Sequence, residues 1–409
     1  MTCGGPARAR RGAEMANLEV IPDGAVLVRD GVVQAVGPYR EVKAAAAGAE
    51  VVEVDGVLFP GFVDAHTHAV FGMARLDDHA RRARGMDYKT IAAEGGGILS
   101  SVRDLRARSA DDLRDRTARR LRHLLDHGST TIEVKSGYGL DTESELRTLG
   151  VIGSLAAGPP ALVPTFLGAH EIPLEYRSRR DDYVRLVIEE MLPAVARQGI
   201  ARFCDVFCEP GVFTPHESRR ILEAARGHGL GLKLHADELD GSGGAELAAA
   251  LGAVSADHLA RASDQGIAAL AASKTVAVLL PGTMLFLGKT DRAPARVLID
   301  RGAAVALATD FNPGSSPGVS LPLMATLGVS QLRMTPAEAI IAITANGAAA
   351  TGLSGDRGQL APGLRADLTL AAIRDWRELV YWYGANLVTG VWMMGAACHS
   401  GRETIDFLA

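Results

Sequence analysis

Short apolar runs that stop at a polar or glycine residue recur along most of this chain, and longer segments with a helical repeat separate them. Eight runs stand out: FPGFVDAHTH from Phe59, TTIEVKSG from Thr130, ALVPTFLGAH from Ala161, FCDVFCE from Phe203, LGLKLHAD from Leu230, AVSADH from Ala253, TVAVLLPG from Thr275 and AVALATD from Ala304. Their nearly continuous apolar character predicts parallel strands buried on both faces. Between Ala110 and His127, Leu113, Thr117, Leu121, Leu124 and Leu125 share one helical face, and Gly128 supplies the stop. Thr214-Pro215-His216-Glu217 and Thr335-Pro336-Ala337-Glu338 each set a capping Thr, a first-turn Pro and an N3 Glu in order, so a helix begins at both.

Strand and helix alternate from 59 to 350, and eight such units match the about 250 residues of a (β/α)8 barrel with room for an insertion. The predicted class is therefore α/β. The flanks, 1–58 and 351–409, read as strands: GAVLVRD-GVVQAVG with an Asp30-Gly31 hairpin step, VVEVDGVLF, ADLTLAAI and LVTGVWMMG. Neither flank has enough apolar surface for a core of its own, so both are expected to pair into one small β-sandwich built from the two termini. The connection from His68 to Thr130 is unusually long, as functional loops over a barrel mouth are. Its Gly95-Gly96-Gly97 run reads either as a flap hinge or as a tight turn between short helices.

Composition narrows the function classes. With 47% hydrophobic and 22% charged residues in 409, disorder is excluded as the main state. No apolar run reaches about 18 residues, so no membrane span is expected. Lys and Arg total 43 against 48 Asp and Glu, which gives no basic stripe for nucleic acid and leaves a small molecule as the expected partner. Cys3, Cys204, Cys208 and Cys398 lack disulfide-framework spacing, and the first residues lack the apolar stretch of a secretory signal. A mature cytoplasmic protein is the expectation.

Candidate chemistry lies at the strand ends. His66 and His68 end the first run, His170 the third, His235 the fifth, His258 the sixth and Asp310 the eighth. In this fold those ends converge on one mouth. One such His is usually a hydrogen-bonded surface group, but several on one face call for a common cause. Two residues apart on a strand, His66 and His68 point to the same side and can share a metal ion. His235 and Asp310 complete a nitrogen and oxygen set suited to Zn²⁺ or Fe²⁺, with a position left for water. Cys204 and Cys208, four apart on one strand, read as buried inert thiols. Glu209 is a minor candidate for a second metal.

Pro60 to His68 resembles the first-strand signature of the amidohydrolase superfamily, metal-dependent barrels with a terminal β-sandwich. Within it the chain is most similar to the imidazolonepropionase family, through HTHAVFG, YKTIAAEGGGILSS, EVKSGYGLDTESEL, TFLGAHEIPLEY, DVFCE, KLHADEL, SADHL, VAVLLPGTMLFLG and ATDFNPGSSP. Taken together, SGYGLD, LGAHEIP and TDFNPGSSP are specific to that family. The resemblance implies His66, His68, His235 and Asp310 as ligands of one Zn²⁺ or Fe³⁺ ion. It implies Glu238, His258 and Asp310 as the groups that handle the water and its proton. Substrate contacts fall on Arg75, Tyr138, His170, Asn312, Gly314 and Ser315. The implied substrate is 4-imidazolone-5-propanoate, opened at its lactam bond to N-formimidoyl-L-glutamate, and the implied assembly a homodimer. A deaminase using the same ligands is the rival within enzymes, and a catalytically dead barrel the rival outside them.

Three further readings accompany the resemblance. Lys135 falls on the second strand, not on the fourth where a metal-bridging lysine belongs, so a single metal is expected, with Lys135 paired to Glu133 or a neighbouring carboxylate. The loop Phe71-Gly72-Met73-Ala74-Arg75 has Met73 where the family has a second Gly. The family also has another strand ahead of RRGAEM, so the sandwich is expected to lack an edge.

Overall fold

The computed structural model describes residues 1–86, 90–91 and 94–400. Its strands are β1 (Gly24–Arg29), β2 (Val32–Pro38), β3 (Val57–Pro60), β4 (Phe62–Asp64), β5 (Ser129–Lys135), β6 (Ala161–Ala169) and β7 (Phe203–Cys208), followed by β8 (Gly231–Ala236), β9 (Ser255–His258), β10 (Val276–Leu279), β11 (Ala304–Leu307), β12 (Leu368–Ala371), β13 (Val388–Met393) and β14 (Ala396–Ser400). Strands β4 to β11 form one eight-stranded sheet in sequence order, every neighbouring pair parallel. Seven of the eight apolar runs supply its strands β5 to β11, and the later part of the first run supplies β4.

The sheet curls until its first and last strands meet. Asp310 N–H donates to the His66 carbonyl at 3.0 Å and His68 N–H to the Phe311 carbonyl at 2.9 Å, and Thr67 bridges Phe311 in parallel. Lower down the seam, Asp64 accepts from the Thr309 amide at 3.0 Å and the Thr309 hydroxyl at 2.6 Å. Helices cover the outside. Helix Ala110–Leu125 starts at Ser109, whose side chain accepts from Asp112 N–H, and buries the five residues its pattern assigned to the core. Both Thr-Pro-X-Glu sequences form capping boxes, at helices Pro215–Gly227 and Pro336–Ile343.

The two flanks meet beside the barrel. β1 and β2 form an antiparallel hairpin in which Asp30 and Gly31 both take positive φ, the requirement of a two-residue primed turn. The remaining sheet has the order β14-β13-β12-β3, so one strand from before the barrel pairs antiparallel with strands from after it.

Two details depart from the sequence reading. The run starting at Phe59 is divided: Val57–Pro60 joins β12, and the barrel begins only at Phe62. Gly61 makes the switch, because its N–H donates to Asp367 and a Cβ there would lie 2.2 Å from Thr130 Oγ1. Val51-Val52-Glu53-Val54-Asp55 forms no strand. It has no ladder partner, and Val51, Val52 and Val54 are 57%, 65% and 47% exposed.

In the long first loop, Gly95 and Gly97 take positive φ, and Gly97 N–H donates to Asp78 Oδ2 at 2.8 Å as helix Ile98–Arg106 begins. These contacts describe a turn into a helix. Part of the YKTIAAEGGGILSS segment, namely Tyr88, Lys89, Ala92 and Ala93, lies outside the described residues. Among the described residues, no helix is long and apolar enough to cross a membrane.

Candidate metal centre

Period-two alternation sends His66 and His68, just beyond β4, to the same side, and β8 brings His235 up to meet them. His66 Nε2 and His68 Nε2 are 3.3 Å apart, and His235 Nε2 and His68 Nε2 are 3.4 Å apart. Asp310 Oδ1 lies 3.5 Å from both His66 Nε2 and His68 Nε2. Ligand atoms about 2.0–2.1 Å from a tetrahedral ion are separated by about 3.3–3.4 Å, so these separations suit a single cation bound by three imidazoles and a carboxylate. All four residues are buried. Burial, reinforced by neighbouring cationic groups, holds the His66 and His68 pKa values well below the ordinary histidine value. Both rings are therefore neutral, the form that can donate a lone pair.

Of the three outer nitrogens, those of His66 and His235 face carboxylates, whereas that of His68 is buried without a hydrogen-bond partner. His66 Nδ1 is 2.6 Å from Asp257 Oδ2, and His235 Nδ1 is 3.0 Å from Asp205 Oδ2. Carboxylates behind ligating imidazoles orient the ring and strengthen its donor nitrogen. Beneath them Lys135 is fully buried, 2.7 Å from Asp205, 2.9 Å from Glu133 and 3.5 Å from Asp257. It is an ion-pair residue.

His258 and Glu238 face each other across the rim, His258 Nε2 being 3.5 Å from Glu238 Oε2. Burial, then the Asp310 and Glu209 charges, raise the Glu238 pKa well above the usual carboxylate value. Burial raises Asp310 to about 6. Buried carboxyls displaced upward are common at sites that move protons. His258 and Asp310 both adopt positive φ, 77° and 51°, a conformation that is costly for non-glycine residues and is often found at functional sites.

The other sequence candidates line the same mouth. His170 stacks on His68 with ring centroids 5.0 Å apart, and its Nδ1 is 2.9 Å from the Gly137 carbonyl. Burial lowers its pKa to about 3. The Tyr138 ring is 5.9 Å from that of His68 and 5.4 Å from that of His170. Gly137 takes φ 106°, and a Cβ on Gly139 would lie 2.7 Å from the Glu145 amide nitrogen, so both glycines are required by the turn. Arg75 reaches in from the first loop and packs on Gly314, where a Cβ would lie 1.7 Å from its Nη2. Arg75 Nε is buried without a hydrogen-bond partner.

Met73 does not disorganise that loop. Its N–H donates to Asp104 Oδ2 at 2.8 Å, and Arg120 lies over the Phe71 ring and donates to the carbonyls of Ala69, Phe71 and Gly72. The Asn312–Ser315 turn is largely self-satisfied: Asn312 Oδ1 accepts from the Gly314 and Ser315 amides, both at 2.8 Å. Both amides are thus spent within the turn, whereas Arg75 Nε is not paired.

Two buried carboxylates, Glu145 and Glu209, position the loops, and sequence reasoning gave the first no site role. Glu145 accepts from the amides of Gly137, Gly139 and Leu140 and so holds the Tyr138 turn. Glu209, considered for a second metal, instead accepts from the amides of Glu238, Leu239 and Asp240. Cys204 and Cys208 are buried and unpaired, and burial raises their thiol pKa values.

The chain matches the model of the amidohydrolase family over residues 57–397. It is 48% identical over 400 residues to the imidazolonepropionase of Solibacter usitatus, covering 97% of this chain and 95% of that one. It is also 48% identical over 379 residues to the imidazolonepropionase of Geobacillus thermodenitrificans, covering 91% and 89%. Among solved structures, A. niger ochratoxinase superposes with a TM-score of 0.71 at 19% identity, covering 94% of this chain and 93% of that one. A zinc-bound adenosine deaminase from Xanthomonas campestris superposes with a TM-score of 0.69 at 20% identity, covering 94% and 90%. These two likenesses concern the fold alone. A barrel closed at a rim of three imidazoles and a carboxylate, matched along nearly its whole length, belongs to the amidohydrolase family and sits among the imidazolonepropionases.

Proposed function

We propose that this chain is a metal-dependent hydrolase that opens the lactam C–N bond of 4-imidazolone-5-propanoate to give N-formimidoyl-L-glutamate. The observation that carries the reading is the convergence of His66, His235 and Asp310 on His68, with His66–His68, His235–His68, Asp310–His66 and Asp310–His68 separations of 3.3–3.5 Å, joined to 48% identity with imidazolonepropionases. These four residues would hold one Zn²⁺ or Fe³⁺ ion. Such an ion, when bound, acidifies a water molecule and polarises an amide carbonyl.

The remaining work belongs to side chains. Glu238, with its raised pKa, carries a proton from the attacking water to the departing ring nitrogen, with Asp310 as the adjoining acceptor. His258, 3.5 Å from Glu238, orients the water and stabilises charge at the attacked carbonyl. Arg75 neutralises the propanoate tail, as a guanidinium suits a carboxylate. Tyr138 and His170 contact the ring, and Asn312, Gly314 and Ser315 wall its far side. The same reading takes residues 59–350 as the catalytic barrel, except that Phe59 and Pro60 pair with β12, and 1–58 with 351–409 as one discontinuous sandwich. It sets the protein in the cytoplasm as a homodimer.

The test is an ultraviolet assay of imidazolonepropionate loss with metal-free and remetallated enzyme. Turnover that depends on one equivalent of metal supports the reading. Turnover of aminopurines with none of imidazolonepropionate would replace it with deamination. Light scattering tests the dimer and cell fractionation the compartment.

A further inference from the structure

Lys135 takes no part in the chemistry above, yet it is fully buried at the end of β5 directly below the ligand cluster. Its Nζ is 2.7 Å from Asp205 Oδ2 and 3.5 Å from Asp257 Oδ2. Those same two carboxylates face ligand imidazoles: Asp257 Oδ2 is hydrogen-bonded to His66 Nδ1 at 2.6 Å, and Asp205 Oδ2 lies 3.0 Å from His235 Nδ1 as a charge contact while Asp205 Oδ1 accepts from the His235 amide at 3.1 Å. Two ammonium–carboxylate–imidazole chains thus start at one nitrogen and end at two of the four ligands.

We propose that Lys135 is a positioning residue for the metal centre, which fixes Asp205 and Asp257 and through them holds His66 and His235 with Nε2 turned toward the ion. The inference rests on reading the four-residue cluster as a metal site. An imidazole turns freely about its outer side-chain bond unless something holds Nδ1. A carboxylate that accepts from Nδ1–H pins the ring and leaves the lone pair on Nε2. Here the carboxylates are themselves crowded: Asp205, Asp257 and Glu133 all lie within 3.5 Å of one point. Without a cation at that point, buried like charges separate or acquire other partners.

Lys233 provides the comparison. It is equally buried and also pairs with Glu133, at 3.1 Å, but its other hydrogen bonds go to the Ala65 and Ala350 carbonyls. Among the described residues it makes no ion pair with Asp205 or Asp257. What sets Lys135 apart is the bridge, since the burial is shared.

The experiment compares Lys135→Met and Lys233→Met with the unaltered protein by chelator competition for Zn²⁺ and by the visible spectrum of the Co²⁺-loaded form. Lys135→Met is expected to weaken Zn²⁺ binding about 10- to 100-fold, the range for lost ligand-orienting partners, and to shift the Co²⁺ bands. Lys233→Met is expected to stay within about threefold and keep the bands. Equal affinities and identical spectra in the two variants would overturn the proposal, even if both melt at lower temperature. If Lys135→Met does not fold, Lys135→Gln is measured against the same thresholds. Failure of the unaltered protein to bind one Zn²⁺ would instead sink the metal-site reading, and the two failures are thereby distinguished.

Discussion

Asp310 and His66 are joined twice: the Asp310 amide donates to the His66 carbonyl at 3.0 Å, and Asp310 Oδ1 lies 3.5 Å from His66 Nε2. The bond that closes the barrel thus also sets the distance between two candidate ligands. A bound ion would span the first and last strands, so its removal is expected to loosen the fold as well as stop turnover. At metal concentrations about 100-fold above the dissociation constant, binding adds about 2.7 kcal/mol of stability. Chelator should lower the melting temperature, and one equivalent of metal should restore it. Unchanged melting across that cycle would contradict the coupling.

Glu238→Gln removes the proton carrier while keeping side-chain shape. The variant is expected to bind metal normally and to lose about 10²- to 10⁴-fold in kcat, the usual contribution of general acid–base catalysis. Metal content and steady-state rates, measured on one preparation, decide it. Retained activity would take Glu238 out of the mechanism.

Arg75→Ala should act on substrate binding. A charge-assisted hydrogen bond is worth about 1.5–3 kcal/mol, so KM should rise at least tenfold with a smaller change in kcat. A kcat loss at unchanged KM would place the tail elsewhere.

Asp205 supplies a pH signature. Burial alone would raise its pKa, but His235 and the Lys135 ammonium beside it outweigh burial and hold it well below the ordinary carboxylate value. A depressed folded-state pKa contributes stability that is present above the unfolded value, about 3.9, and lost as pH falls through the folded value. The metal-free Asp205→Asn variant should therefore trail the unaltered protein by a constant margin between pH 5 and about 8, and the margin should shrink in stronger acid. Urea midpoints across the series give the answer, and a margin that grows on acidification would refute the assignment.

Gly347 packs against the first barrel strand so closely that a Cβ would lie 2.4 Å from the Val63 carbonyl oxygen. Gly347→Ala is expected to destabilise the protein by about 1–3 kcal/mol, the usual cost of overpacking, despite alanine's better helix propensity. Calorimetry would show it as a lowered melting temperature.

Much of this architecture is legible before any coordinates. Parallel strands buried on both faces leave unbroken apolar runs, and the parity of His66 and His68 places both on one side. The supporting carboxylates are harder to find. Asp205 lies inside the apolar run FCDVFC, and nothing local shows that it meets Lys135 and His235 from other strands. Glu145 sits on a helix whose pattern explains its neighbours, while its carboxylate reaches back to a turn. The division at Gly61 escapes notice because Phe59 and Phe62 are equally apolar, and only the close approach of Thr130 reveals it. Val51, Val52 and Val54 show the reverse failure, since alternation without a partner strand makes no sheet.

The β3 ladder has a consequence for how the molecule is made. β3 immediately precedes the barrel, yet its partner β12 begins only at Leu368. During synthesis the edge of β3 must wait, unpaired, while the whole catalytic body emerges from the ribosome. Ribosome-bound intermediates will therefore carry an open strand edge beside a nearly complete barrel, the kind of surface that chaperones recognise and that aggregates without them.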